Sequence, residues 1–444
     1  MKRTYLKFHE KASLLVRVQS PLFSSGEADR TLGDISNNKK CPLSNCNKEK
    51  QSVKIIHDKI KVHSLTGRIT EDLMLKAFKA VKKNRGAAGI DKMTISMYEK
   101  NLSENLLSLM RELKQGIYQP VPLRRVHISK GEGKTRPLGI PTVRCRIAQE
   151  VIRRLINPTF ESRFHNNSFG FRMGRNCHQA VERVLQYAEQ GHRYVVDIDI
   201  KGFFDNIPQD LIMTSVAARI ADGNILKLIG RLLNSGVMEN GEITPTTKGT
   251  PQGGVISPLL ANIALDHLDW YLEEQGLKFV RYADDFVILC KTETEAKNAL
   301  DQVQNFLKEM QLEVSPEKTK ISHFSKGFDF LGFSIKSRSI KMRAKSMEKF
   351  KNNIRKITTR SHNLDKKVIE KLNRVIRGTV NYFSTKFSTM NTVFFKLDRW
   401  IRKRIRCMKH KRIWKTDHWR CTIKHIRKMG LLSCNDLHKA RLHC

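Results

Sequence analysis

"FVRYADDFVILC", from Phe279 to Cys290, sets two adjacent carboxylates, Asp284 and Asp285, in the middle of an apolar run. The pieces on either side, "KFVRY" and "FVILC", read as strands. Asp is a turn former, so an ordinary hairpin turn accounts for such a pair taken alone. The apolar strand after the turn implies burial, however. Two carboxylates clustered beside a buried strand repel each other unless a cation compensates. A divalent metal ion would do so.

A third carboxylate lies upstream. "YVVDIDIKGFFDNI", Tyr194 to Ile207, reads as a strand ending in a carboxylate-rich turn. Strand alternation puts Asp197 and Asp199 on one face and Val196 and Ile198 on the other. Asp199 lies nearest the strand's end, whereas Asp205 suits a helix cap. An antiparallel sheet would bring Asp199 beside Asp284 and Asp285. Three carboxylates at such a point would hold two Mg²⁺ ions, which take oxygen ligands. Two metals ~4 Å apart clamp an in-line phosphoryl displacement. Between these segments, "KGTPQGGVISPLLANIALDHLDWYL" (Lys248 to Leu272) supplies a Gly-rich turn before an apolar helix. Gly permits close backbone approach to a ligand, and Gln252 there can donate to a sugar or phosphate.

Bulk properties agree with a polyanionic partner. Lys and Arg total 82 against 43 Asp and Glu, a formal net charge of +39 over 444 residues. Such an excess repels itself in the compact state unless a partner offsets it. The nine Cys are odd in number and scattered, with no Cys-x-x-Cys pair. That argues for a reducing compartment and against a disulfide framework. Cys421, His425, Cys434 and His438 have spacings that fit no common zinc finger. No apolar run is long enough to span a membrane. The basic start, "MKRTYLKFHEKASLLVRVQS", lacks a signal-peptide core. A cytoplasmic location is expected, with an organellar transit peptide as the alternative. Residues 1–55 read as a flexible polar extension, 56–335 alternate helical and strand patterns, and from 336 the chain is helical and basic.

The ordered set Asp-Ile-Lys-Gly-Phe-Phe-Asp, Pro-Gln-Gly-Gly and Tyr-Ala-Asp-Asp resembles reverse transcriptases. The similarity is closest to the reverse transcriptase/maturases encoded by group II introns. "GKTRPLGIPTVRCRIAQEVI" resembles that family's finger segment, and "FESRFHNNSFGFRMGRNCHQAV" its next block. "LEVSPEKTKIS" and "FDFLGFSI" resemble the Lys-bearing and primer-grip segments. "VNYFS" and "LDRWIRKRIR" resemble the thumb, or maturase, region. The resemblance covers about His63 to Gly430. It implies an α+β right-hand polymerase, with fingers and palm over 56–335 and a helical thumb/maturase domain over 336–430. A short tail, 431–444, would follow, too short for a nuclease domain, so target-strand nicking is expected to be absent.

The resemblance also implies roles. Asp199, Asp284 and Asp285 would be the catalytic, metal-binding residues. Lys134 and Arg136 would grip the incoming triphosphate. Phe204 would exclude a 2′-hydroxyl by bulk, Gln252 would contact the nucleotide, and Lys318 would assist pyrophosphate departure. Arg172 would contact template or nucleotide, although Met173 stands where relatives commonly have Pro. The partners would be an RNA template, a DNA primer, deoxynucleoside triphosphates and the intron RNA.

The segment Arg399 to Arg420, "RWIRKRIRCMKHKRIWKTDHWR", contains ten Lys or Arg and one Asp, with Trp400, Trp414 and Trp419 interleaved. Cations of this kind track phosphates while aromatic rings stack on bases. Arg399, Arg402, Lys403, Arg404 and Arg406 are the expected RNA contacts. Retron, diversity-generating or defence-associated reverse transcriptases are the alternatives within the class. A non-catalytic RNA-binding splicing factor is the alternative outside it. Degenerate maturases lose the metal carboxylates, whereas all three stand here.

Overall fold

The computed structural model describes residues 61–442, apart from 132, 133, 251, 413 and 415. The expected extension over residues 1–55 lies outside the described residues, as does the side chain of Lys134. Helices α1 (Glu71–Asn84), α2 (Ile95–Lys100) and α3 (Leu102–Gln115) come first. "EDLMLKAFKAVKKN" forms α1 because its apolar residues recur at helical spacing, burying Met74, Ala77, Phe78 and Val81. Thr70 caps its start by accepting from the Leu73 N–H. Strands β1 (Leu123–Gly131) and β2 (Lys134–Ile140) form an antiparallel hairpin, and α4 (Val143–Glu161) follows.

The next region holds the central sheet. Its helices are α5 (Cys177–Glu189), α6 (Phe203–Asn206), α7 (Gln209–Ala217), α8 (Gly223–Leu233), α9 (Ser257–Glu274) and α10 (Glu293–Glu309). Its strands are β3 (Tyr194–Asp199), β6 (Lys278–Tyr282), β7 (Asp285–Cys290) and β8 (Lys320–His323), in the order β6-β7-β3-β8 and all antiparallel. Two short strands, β4 (Val237–Glu239) and β5 (Glu242–Thr244), extend the β1–β2 sheet instead. Period-two alternation gives the central sheet two unlike faces. Val195, Val287 and Leu289 share one face with Asp197, Asp199 and Asp285, whose register pairs are Asp197 with Val287 and Asp199 with Asp285. The apolar part of that face packs with Ala180, Val181 and Val184 of α5, leaving the acidic residues at the open end.

A second sheet follows, β9 (Phe328–Phe330), β10 (Phe333–Lys336) and β11 (Ser339–Met342). Then come α11 (Ala344–Ile357), α12 (Lys366–Phe383), α13 (Asn391–His410), α14 (Asp417–Arg420), α15 (Ile423–Lys428) and α16 (Cys434–Leu442). A mixed α/β region followed by a helical one agrees with the expected fold class. The helical region starts at Ala344, because a division at Lys336 would cut the β10–β11 hairpin. One hydrophobic core joins the two regions, running from Val195 and Val287 through Phe333 and Phe350 to Ile376, Phe394 and Ile401.

Within the short tail, residues 434–442 form a helix. The buried Asp398 carboxylate of α13 accepts from Ser433 Oγ (2.8 Å), Cys434 N (2.7 Å) and Asn435 N (3.0 Å). These bonds satisfy N–H groups at the start of α16 that have no partner within the helix. The Ser384 hydroxyl and the buried His438 ring nitrogen Nδ1 lie 2.7 Å apart, a second tie. Asp398→Ala should therefore cost ~1–3 kcal/mol and speed amide exchange over 434–442 before it affects α4. Hydrogen exchange followed by mass spectrometry checks this, and unchanged protection of 434–442 would contradict it.

Candidate active site

The hairpin β6–β7 closes through two residues, Ala283 and Asp284, since Tyr282 pairs with Asp285. Ala283 adopts a left-handed φ of +60°, which a residue with a side chain rarely adopts. The turn reverses the chain at the start of β7, where Asp285 lies opposite Asp199. The structure thus brings the three expected carboxylates to one corner of the sheet. The Ser315 N–H donates to the Asp199 carbonyl (2.8 Å), which holds the "SPEK" loop at the same corner. Lys318 Nζ then reaches Asp199 Oδ2 at 2.7 Å.

The electrostatics of this corner follow from crowding like charges. Burial pushes the Asp285 carboxyl up to about 6, and the neighbouring Asp284 and Asp199 add to it, although part of the residue meets solvent. Arg343 and Lys318 oppose that shift. Asp284 is also raised, chiefly by burial and further by Asp199, against Arg136 and Arg281. Asp197, which sequence reading placed on the same face without a role, is pushed up to about 7 by burial, then by Asp285 and Asp199. Hard carboxylate oxygens suit a divalent ion such as Mg²⁺, and added positive charge would relieve this repulsion. Among the described residues, however, no three His, Cys, Asp or Glu side chains converge closely enough to hold a metal. The carboxylates share a corner without forming a preset cage, and Lys318 occupies Asp199.

Arg136 and Gln252, read separately as nucleotide contacts, are joined. Arg136 Nε donates to Gln252 Oε1 (2.6 Å), and Gln252 Nε2 donates to Asp205 Oδ2 (2.8 Å). The Gln252 carbonyl accepts from the Gly139 N–H (2.7 Å). A Cβ on Gly253 would lie 2.2 Å from the Gly139 oxygen, so this seam between β2 and the Pro-Gln-Gly turn requires glycine. Phe204 is half-buried on α6, its ring edge-on to the buried Phe203 at 5.4 Å.

Other expected contacts are turned inward. Arg172 is 8% exposed, and its guanidinium donates to Glu161 Oε1 (2.9 Å), the His165 carbonyl (2.7 Å) and the Ser168 carbonyl (2.8 Å). In place of a template or nucleotide contact, it ties a loop together. Arg406 is buried, and its Nε donates to the Cys421 carbonyl (2.8 Å). Arg404 donates to the Thr358 hydroxyl and carbonyl at the end of α11. Both positions serve packing because α13 has two sides and one of them faces the core. Arg399 and Lys403 remain exposed and Arg402 partly so. Trp400 packs on the core beneath Arg355, whereas Trp414 and Trp419 are 62% and 85% exposed.

Sequence reading missed the support beneath the turn. Arg281 precedes Tyr282 and is fully buried against Asp269 of α9. The one signal was a lone arginine inside an apolar strand. Gly170 lies directly against the turn, since a Cβ there would fall 2.3 Å from Ala283 N. Gly170→Ala should displace the turn and speed amide exchange over 281–285, while the rest of the fold melts within a few degrees of the parent. Parental exchange over 281–285 in a folded Gly170→Ala protein, read by mass spectrometry, would contradict this.

Comparison with known proteins places these observations in a family. Residues 128–335 match the family described as reverse transcriptase (RNA-dependent DNA polymerase), and residues 347–428 match the group II intron maturase-specific domain. Protein YkfC of Escherichia coli (strain K12) is 33% identical over 318 residues, covering 62% of this chain and 84% of that protein. The group II intron-encoded protein LtrA of Lactococcus lactis subsp. cremoris is 31% identical over 335 residues, covering 60% of this chain and 55% of that protein. The chain therefore spans most of YkfC and about half of LtrA. Within a solved partial Cas6-RT-Cas1–Cas2 complex, one chain matches 56% of this chain at 27% identity with a TM-score of 0.35. With the two domains in order and the acidic corner inside the first, the chain belongs to the group II intron family of reverse transcriptase/maturases, RNA-directed DNA polymerases with a role in splicing.

Proposed function

We propose that Asp199, Asp284 and Asp285 form the polymerising centre and that its cofactor is a pair of Mg²⁺ ions. The observation that carries this reading is the register pairing of Asp199 with Asp285 beside a left-handed turn. Bound there, the ions would activate a primer 3′-hydroxyl and neutralise the departing pyrophosphate. The protein's own groups do the positioning. Arg136 and Gln252 lie on one seam and would face the triphosphate together, with Lys134 on the same strand β2. Lys318, released from Asp199, would carry positive charge toward the leaving group. Phe204 would sit beneath the sugar and select deoxynucleotides by bulk.

The helical region would hold intron RNA, with template and primer crossing between it and the sheet's acidic end. Exposed Arg399, Lys403 and Trp419, with the partly exposed Arg402, are the contacts this reading keeps, because Arg404 and Arg406 are spent on packing. A bacterial cytoplasmic setting belongs to the same reading, since YkfC and LtrA are bacterial proteins. Among the described residues no helix is long and apolar enough to cross a membrane.

Two variants separate the roles. Asp284→Asn should abolish primer extension on an RNA template and leave intron RNA binding intact. Arg399→Gln with Lys403→Gln should flatten the salt dependence of RNA binding, by about 0.7–0.9 in the log–log slope for each phosphate no longer held by a cation. That pair should extend a short generic primer–template nearly as the parent does. Full extension by Asp284→Asn, or an unchanged salt slope in the pair, would contradict the corresponding assignment.

A further inference from the structure

The acidic corner carries repulsion, and its turn holds a non-glycine residue in a left-handed conformation, so something beneath must hold the turn in place. The residue that meets this need is Arg281, one of the largest fully buried side chains among the described residues. Its guanidinium is spent in three directions. Nε donates to Asp269 Oδ1 at 2.7 Å, and a second nitrogen donates to Asp269 Oδ2, a bidentate pair with α9. The remaining nitrogen donates to Asn262 Oδ1 (2.9 Å) and to the carbonyl of Ala283 (3.0 Å). Asn262 passes the connection on, donating from Nδ2 to the Gly170 carbonyl at 2.8 Å.

Gly170 is the residue packed against the Ala283 backbone. Its loop runs along β6, with Arg281 N donating to the Asn167 carbonyl and Phe169 N donating to the Arg281 carbonyl, both 2.9 Å. Arg172 fastens the same loop from its far side through the Ser168 carbonyl. One arginine thus joins helix α9, the loop and the turn. An ion pair for stability alone would need only Asp269. The bonds to Ala283 and Asn262 point at the turn, and a lysine could not make them while also holding both Asp269 oxygens.

We propose that Arg281 is a positioning residue for polymerisation. Clamped to Asp269, it fixes the Ala283 carbonyl directly and Gly170 through Asn262, and so holds Asp284 and Asp285 where Asp199 can share their cation. This inference rests on the reading of those aspartates as the polymerising centre.

Three variants test it, beside Asp284→Asn as a control for that reading. Arg281→Lys keeps the buried charge pair but loses the fork. Arg281→Met with Asp269→Leu removes both buried charges together, so neither is left uncompensated. Asn262→Ala leaves the ion pair and the bond to Ala283 but removes Arg281's bond to Asn262 and, with it, the link to Gly170. Each is assayed for melting temperature, primer–template affinity, kcat, KM for nucleotide and the Mg²⁺ concentration giving half-maximal extension. The expected result for Arg281→Lys and the double variant is a melting temperature within a few degrees of the parent and unchanged primer–template affinity. Their kcat should fall at least tenfold and their Mg²⁺ requirement should rise severalfold, with nucleotide KM little moved. Asn262→Ala, which should fold in any case, should show the same changes at smaller size. A merely structural arginine would let Arg281→Lys recover kcat along with stability. Parental kcat and Mg²⁺ requirement in Arg281→Lys, or in folded Asn262→Ala, would overturn the proposal. If Asp284→Asn itself extends normally, the reading of the centre fails instead, whatever the clamp variants do.

Discussion

Repulsion between carboxylates gathered at the end of one sheet face is the constraint on which the rest of the structure depends. Asp197, Asp199 and Asp285 share that face, and Asp284 sits in the adjoining turn. Left to themselves these groups would separate or take up protons, and burial raises Asp285 and Asp197 in that direction. What holds them is register. A one-residue slip of β7 against β3 would send Asp285 to the opposite face, where Phe286 and Ile288 are buried, and would set those apolar side chains at the acidic end in its place. The apolar ladder behind the site therefore enforces the acidic geometry in front of it. Lys318, Arg343 and Arg136 supply part of the compensating charge without closing the site.

Much of this was legible in the sequence because strand alternation and turn chemistry are local. The pattern of Val195 to Asp199 and the Asp-Asp pair inside an apolar run are enough to predict an antiparallel pairing and its acidic end. The Arg136–Gln252 seam was legible only as two separate residues, since their meeting depends on how β2 packs against a loop more than a hundred positions later. Arg281 was not legible because nothing local distinguishes a buried, fully paired arginine from one at a strand edge. Arg172, Arg404 and Arg406 show the converse. In a chain with 82 Lys and Arg, composition suggests phosphate contacts, yet hydrogen bonds within the protein tie these three to carbonyls, a hydroxyl and a carboxylate. The helix over 434–442 escaped notice because its start is capped by Asp398, a residue of another helix.

The helical region is continuous with the sheet in a physical sense. Phe333 of β10 stacks on Tyr382 of α12 and meets Phe383 edge-on, and the same core continues to Phe394 and Ile401. Displacement of α12 would thus be felt at the base of the face that carries the aspartates. His178 Nε2 lies 2.7 Å from the Tyr382 carbonyl and adds a polar tie from α5 to the same helix. The sheet region and the helical region are thus fastened through one packed layer, and Arg399 and Lys403 lie outside it, exposed.

The central claim, that this corner is held together against its own charge, is tested most directly by thermal melting of the parent and Asp285→Asn, each in chelator and in millimolar Mg²⁺. The account predicts that Asp285→Asn melts higher than the parent in chelator, because a repelling charge is gone. It also predicts that Mg²⁺ raises the parent's melting temperature more than the variant's. A variant that melts below the parent in chelator, with both proteins responding equally to Mg²⁺, would contradict it.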